Sequence, residues 1–321
     1  MLVPVLLFIV GLACLIKGGD WFVDGAAGIA RRFNMPQMLV GATVVSIGTT
    51  LPEVMVSASS AVMGHGEIAY GNAIGSIICN TALIAAITIA VKPSSIDRKS
   101  LIMPTCFFFA AAAFYCAVAY ISGFFSRLTG VILLIMFVVY MIITVRQAIT
   151  SPDDAAQPSD DEKERKLGLL IVLLVVGATL IAVGARLLVD NGTLIASALG
   201  VPESVIALTF VALGTSLPEL VTAITSLAKG YGSLSLGNVI GANLFNLVLV
   251  SGMSCTLSPF KVPVEKKIAG FPSSFVVDIP LMFAVMAFMT VPAIIRGKLS
   301  RVQGIVLLVV YAAFCVFQFV G

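Results

Sequence analysis

Apolar stretches long enough to cross a bilayer follow one another along all 321 residues of the chain. A bilayer core of about 30 Å calls for about 20 mostly apolar residues per helical span. Ten segments qualify, over 3–30, 37–62, 71–91, 102–121, 127–145, 167–198, 204–228, 235–256, 275–295 and 302–320. Lipid offers no partners to backbone N–H and C=O groups, so each such span closes its hydrogen bonds within a helix. The expectation is an all-α polytopic membrane protein with ten transmembrane helices. Only 11% of residues are charged, against about 25% in soluble domains, which leaves almost no room for a soluble domain. The first span resembles the apolar core of a signal peptide. It lacks a basic leader and a clean small-residue cleavage site, and is expected to stay in the mature protein.

The chain repeats itself at one offset. Glu53 in GTTLPE and Glu219 in GTSLPE are 166 positions apart. So are Gly71 in GNAIGS and Gly237 in GNVIGA, Asn80 and Asn246, Asp24 and Asp190, and Pro36 and Pro202. A gapless register over this length marks an architectural unit. The division expected is a first five-helix repeat over 1–146, a linker over 147–166 and a second five-helix repeat over 167–321. Five is odd, so the second half enters the membrane in the opposite sense, as in inverted-repeat transporters. Between the halves, SPDDAAQPSDDEKERK reads as a flexible polar linker.

Lys and Arg in the loops set orientation. With the N-terminus outside, thirteen fall on the inner side, among them Arg31, Arg32, Lys92, Arg98, Lys99 and Lys229, and four on the outer side (Arg127, Lys261, Lys266, Lys267). This predicts a multi-pass cell-membrane protein with both termini extracytoplasmic and the linker cytoplasmic.

Glu53 and Glu219 fall near the middle of the second and seventh spans. A carboxylate at that depth is expensive and marks a functional site unless a base pairs with it, and no Lys or Arg sits at matching depth. Pro52 and Pro218 precede them. A proline lacks an N–H and crowds the preceding turn, which frees carbonyls of Gly48 and Thr49, and of Gly214 and Thr215. At membrane depth a bound cation can satisfy such carbonyls. The hydroxyls of Thr49, Thr50, Thr215 and Ser216 add oxygen donors. Asn72, Ser76 and Asn80 share one face of the third span, and Asn238, Ala242 and Asn246 one face of the eighth. Beside them, Gly71, Gly75, Gly237 and Gly241 are expected to let helices approach closely.

These ligands are all oxygens, and the one histidine, His65, sits in an outer loop. Oxygen ligation suits Ca2+, Mg2+ or alkali ions, and irregular carbonyls with two carboxylates suit Ca2+ best. The six cysteines lie in apolar segments, none paired at metal-ligand spacing, and read as small apolar fillers.

At these residues the sequence resembles the Ca2+/cation antiporter superfamily, in its sodium/calcium exchanger branch, most of all the compact prokaryotic members. The resemblance covers essentially the whole chain. It implies a core of helices 2, 3, 7 and 8 around the ions, with long helices 1 and 6 sliding across it. It also implies Ca2+ ligands at Glu53, Glu219 and the backbone carbonyls of Thr49 and Thr215. The Na+ sites would draw on Ser46, Thr50, Ser76, Asn80, Ala212, Ser216, Ala242 and Asn246, with Ser46 and Ala212 acting through their carbonyls. Two positions depart from the pattern. Ala242 stands where many relatives have Ser. Asn246 stands where many prokaryotic and the potassium-dependent relatives have Asp, and this implies exchange independent of K+. The expected function is Ca2+/Na+ antiport by alternating access. The rivals are Ca2+/H+ antiport through the same glutamates and a Ca2+ channel. No nucleophile–base pair or cofactor motif suggests an enzyme. The expected partners are the transported ions and the bilayer, with no cofactor, nucleic acid or obligate protein partner.

Overall fold

The computed structural model describes residues 2–93, 97–150, 166–200, 214–264 and 267–320. In chain order the helices are α1 (Leu2–Arg32), α2 (Gln37–Val62), α3 (Gly66–Val91), α4 (Arg98–Ser122), α5 (Arg127–Thr150), α6 (Leu167–Ala198), α7 (Leu217–Ala228), α8 (Gly232–Leu257), α9 (Ser274–Arg296) and α10 (Arg301–Val320). All but α7 are long and apolar enough to span a bilayer. The predicted seventh span begins at 204, but residues 201–213, Ala212 among them, lie outside the described residues. So does almost all of the linker.

Burial sorts the helices into an inner and an outer set. The apolar stretch of α8 is 89% buried and that of α3 72%, whereas those of α1 and α6 are 22% buried. Val, Leu and Ile side chains on α1, α5, α6 and α10 point outward, as a lipid-facing surface requires. The core between α3, α4, α8 and α9 is built on Tyr70, Phe108, Tyr115, Phe245 and Met286. Two short antiparallel ladders close the loops. β1 (Phe124–Phe125) pairs with β2 (Phe260–Lys261), which puts the α4–α5 and α8–α9 connections on one side of the molecule. β3 (Lys267–Ile268) pairs with β4 (Phe271–Pro272) across a tight turn at Ala269 and Gly270, both with positive φ.

The two long helices pack antiparallel along a glycine seam. A Cβ on Gly11 would lie 2.9 Å from the Gly184 carbonyl oxygen, and one on Gly18 2.9 Å from that of Gly177. Gly11 and Gly177, and Gly18 and Gly184, are equivalent at the 166 offset, so the contact is symmetric. Only glycine lets two helix backbones come this close.

The inner helices carry local distortions. The helical ladder widens into π turns at Gly41–Val45, Asn80–Ala85, Asn246–Val250 and Ser274–Asp278. Such turns leave backbone groups less tightly paired and recur at functional sites. Two of the four start at Asn80 and Asn246, the equivalent asparagines.

Candidate ion site between α2, α3, α7 and α8

Helices α2, α3, α7 and α8 pack together and bring their polar faces inward. Glu53 and Glu219 are both fully buried, and their carboxyl groups are close enough for their charges to interact. Thr49 lies beside Glu219. Ser46, Thr49, Thr50, Ser76, Asn80, Ser216, Ala242 and Asn246 are buried on the same four helices or at the start of α7. Thr215 is half-buried in the turn before α7. The structure thus places the sequence-predicted residues on the four inner helices or the turn before α7, apart from the undescribed Ala212.

Their hydrogen bonding is incomplete. Among the described residues, neither oxygen of Glu53 or Glu219, neither amide atom of Asn80 or Asn246, and neither hydroxyl of Thr50 or Ser216 makes a hydrogen bond of normal geometry. Buried polar atoms are nearly always bonded, and leaving one unbonded costs about 1–3 kcal/mol. The described ion pairs lie elsewhere, such as Lys229 with Asp20 and Asp24. A cluster of buried polar oxygens with two carboxylates, and no base among the described residues pairing with them, has the chemistry of a hard-cation site.

The equivalent halves differ here. In α2 the GTTLPE motif lies within an unbroken helical stretch, Ser46–Val62, with Pro52 inside it. In the second half, Gly214–Ser216 form a turn and the helix starts at Leu217, so Pro218 stands in the first turn, where its missing N–H costs nothing. Asn72 donates to the Glu53 carbonyl (3.3 Å) and Ser57 Oγ (2.8 Å) in its own half. Asn238 Oδ1 instead accepts from Thr49 Oγ1 (3.2 Å) across the halves.

The glycine expectation holds in the second half. Gly237 and Gly241 abut the α2 backbone at Met38 and Ala42. A Cβ at Gly71 or Gly75 would meet nothing within 4 Å among the described residues, and positions 204 and 208, the equivalents of Met38 and Ala42, lie outside them. Gly71 and Gly75 line a cavity of about 600 Å³ that runs from Glu67 and Asp278 past Asn72 and Ser76 to Thr215.

Two features escaped the sequence reading. Thr222 and Ser226 are buried on the Glu219 face of α7, also unbonded; their spacing of three and seven from Glu219 was the available signal. Cys79 lies against the Ser216 side chain, a neighbour no spacing rule points to.

The family model described as sodium/calcium exchanger protein matches residues 3–146 and 169–320. A membrane protein of Methanocaldococcus jannaschii, MJ0091, is 34% identical over 95% of this chain and 94% of its own length. The sodium/calcium exchanger MaX1 of Methanosarcina acetivorans is 28% identical over 98% of both chains. Among solved structures, the sodium–calcium exchanger NCX_Mj soaked with Na+ and Sr2+ superposes with a TM-score of 0.81 at 31% identity, over 97% of each chain. A match of this extent in sequence and in fold makes the chain a polytopic membrane member of the sodium/calcium exchanger family.

Proposed function

We propose that the protein is a secondary antiporter that exchanges Ca2+ for Na+ through the cluster around Glu53 and Glu219. The observation that carries this reading is the set of buried, unbonded oxygens around two carboxylates with no base among their described ion pairs. Ca2+ would take both carboxylates and the carbonyls of Thr49 and Thr215, which neutralises the ion without a third charge. Na+ would take Ser46, Thr50, Ser76, Asn80, Ala212, Ser216, Ala242 and Asn246, with Ala242 offering no hydroxyl. The names of MaX1 and NCX_Mj support this pairing of ions.

The two halves are read as inverted repeats, 1–146 and 167–321, joined by a cytoplasmic linker, with both termini outside. The antiparallel, symmetric seam of α1 and α6 supports the inversion. The cavity beside α3 supports alternating access. Gly71 and Gly75 line that cavity, as expected of a carrier with one entrance open. With this orientation the cavity opens outward.

The test is 45Ca2+ uptake by proteoliposomes loaded in turn with Na+, K+ or acid. Uptake driven by internal Na+ alone is the expected result. Uptake driven by acid and indifferent to Na+ would assign the same glutamates to proton exchange. Flux that neither saturates nor needs a counter-ion would mean a channel.

A further inference from the structure

The wall of the outward cavity holds a second chemistry. Cys79 and Cys315 both line it, as does Tyr311, one helical turn before Cys315 on α10. The Tyr311 hydroxyl lies against both thiols. Cys79 is buried immediately before Asn80, with the Ser216 side chain against its sulfur and Glu219 nearby. Ser216 Oγ is itself buried and makes no hydrogen bond of normal geometry. Cys79 has no counterpart in the second half, where position 245 is Phe, so the thiol stands outside the repeated ligand set. None of the other four cysteines lines this cavity among the described residues.

We propose that Cys79 and Cys315, with the Tyr311 hydroxyl, form a site for a thiophilic divalent cation such as Cd2+, and that an ion held there blocks passage between the cavity and Glu219. Thiolates select soft ions, whereas carboxylates and carbonyls suit Ca2+. Binding forms two S–Cd bonds and breaks two S–H bonds, and both protons leave through the cavity to water. The charge of the site is then unchanged, so no uncompensated charge is left at membrane depth. Ca2+, a hard ion, does not displace thiol protons and stays on the carboxylates. The blocking half of this inference rests on the antiport reading; the binding half does not.

The experiment titrates the purified full-length chain with Cd2+. The expected result is a thiolate-to-Cd2+ charge-transfer band in the ultraviolet that saturates at one ion per chain. It should be lost in C79S/C315S and kept in C106S/C116S. Peptide mapping of the unmutated chain adds a readout free of folding effects: Cd2+ should protect Cys79 and Cys315 from alkylation. In proteoliposomes, half-inhibition of 45Ca2+ uptake should need about tenfold more Cd2+ or higher in C79S/C315S, since even outer-shell changes shift metal affinity that much. A band that survives in C79S/C315S, or unchanged alkylation of Cys79 and Cys315, would overturn the site. Equal inhibition of both proteins would overturn the block. Absence of Na+-driven uptake in the unmutated chain would refute the antiport reading alone, with the band and the protection still deciding the site.

Discussion

Glu53 and Glu219 are set in a place where neither can exist as an isolated charge. Removing one leaves a divalent ion facing a single carboxylate at membrane depth, where a charge costs about 3 kcal/mol or more. That is about a hundredfold in affinity. Glu53→Gln and Glu219→Gln should therefore each abolish Ca2+ uptake while the chain still folds, because the amide matches the carboxyl in shape. Near-normal uptake by either variant would remove the site assignment. Asn246 sets the third charge to zero. In the proposed site Ca2+ would use both carboxylates, leaving nothing to balance a K+ beside it in a low-dielectric site. Na+-driven 45Ca2+ flux should be the same with K+ present or replaced by choline, and a strict K+ requirement would refute that charge count.

At the scale of elements, glycines report how close helices come. On α8, Gly237 and Gly241 meet the α2 backbone, whereas Gly71 and Gly75 on α3 line the cavity and meet no other described residue. Gly241→Ala should destabilise the protein by about 1–3 kcal/mol through overpacking, and Gly75→Ala should leave it unchanged. Thermal unfolding in detergent compares the two, and equal effects would show that the α3 face is packed after all. The end of α1 is tied to the α7–α8 corner in a similarly one-sided way. Lys229 Nζ lies 2.8 Å from Asp24 Oδ1 and 3.3 Å from Asp20 Oδ1. The equivalent Asp190 pairs, among the described residues, with the exposed Arg186 of its own helix, at 3.6 Å. Lys229→Met should therefore raise hydrogen exchange at the end of α1 and leave α6 untouched. Such partly exposed pairs are worth about 1 kcal/mol or less, so global unfolding should barely move.

For the whole molecule, orientation is the property most open to direct test. Thirteen basic residues against four favour a cytoplasmic linker by the positive-inside rule. A cysteine placed at Ser159 should react with an impermeant reagent only in inverted vesicles, after replacement of the exposed Cys106. Labelling in intact cells would reverse the orientation and place the cavity at Gly71 and Gly75 on the inner side.

The sequence alone determined the helical membrane class, because unbonded backbone in lipid leaves so few solutions and runs of about 20 apolar residues are unambiguous. It also exposed the repeat, since one offset pairs Glu53 with Glu219 and Asn80 with Asn246, and it located the midplane carboxylates by their expense. Tertiary structure decided the rest. That Gly71 faces a cavity while Gly237 faces Met38, that Asn238 reaches across to Thr49, and that Cys79 and Cys315 share a wall with Tyr311 all depend on which helix lies opposite. Local spacing carries the face of a helix; the neighbour of that face is fixed only by how ten helices pack together.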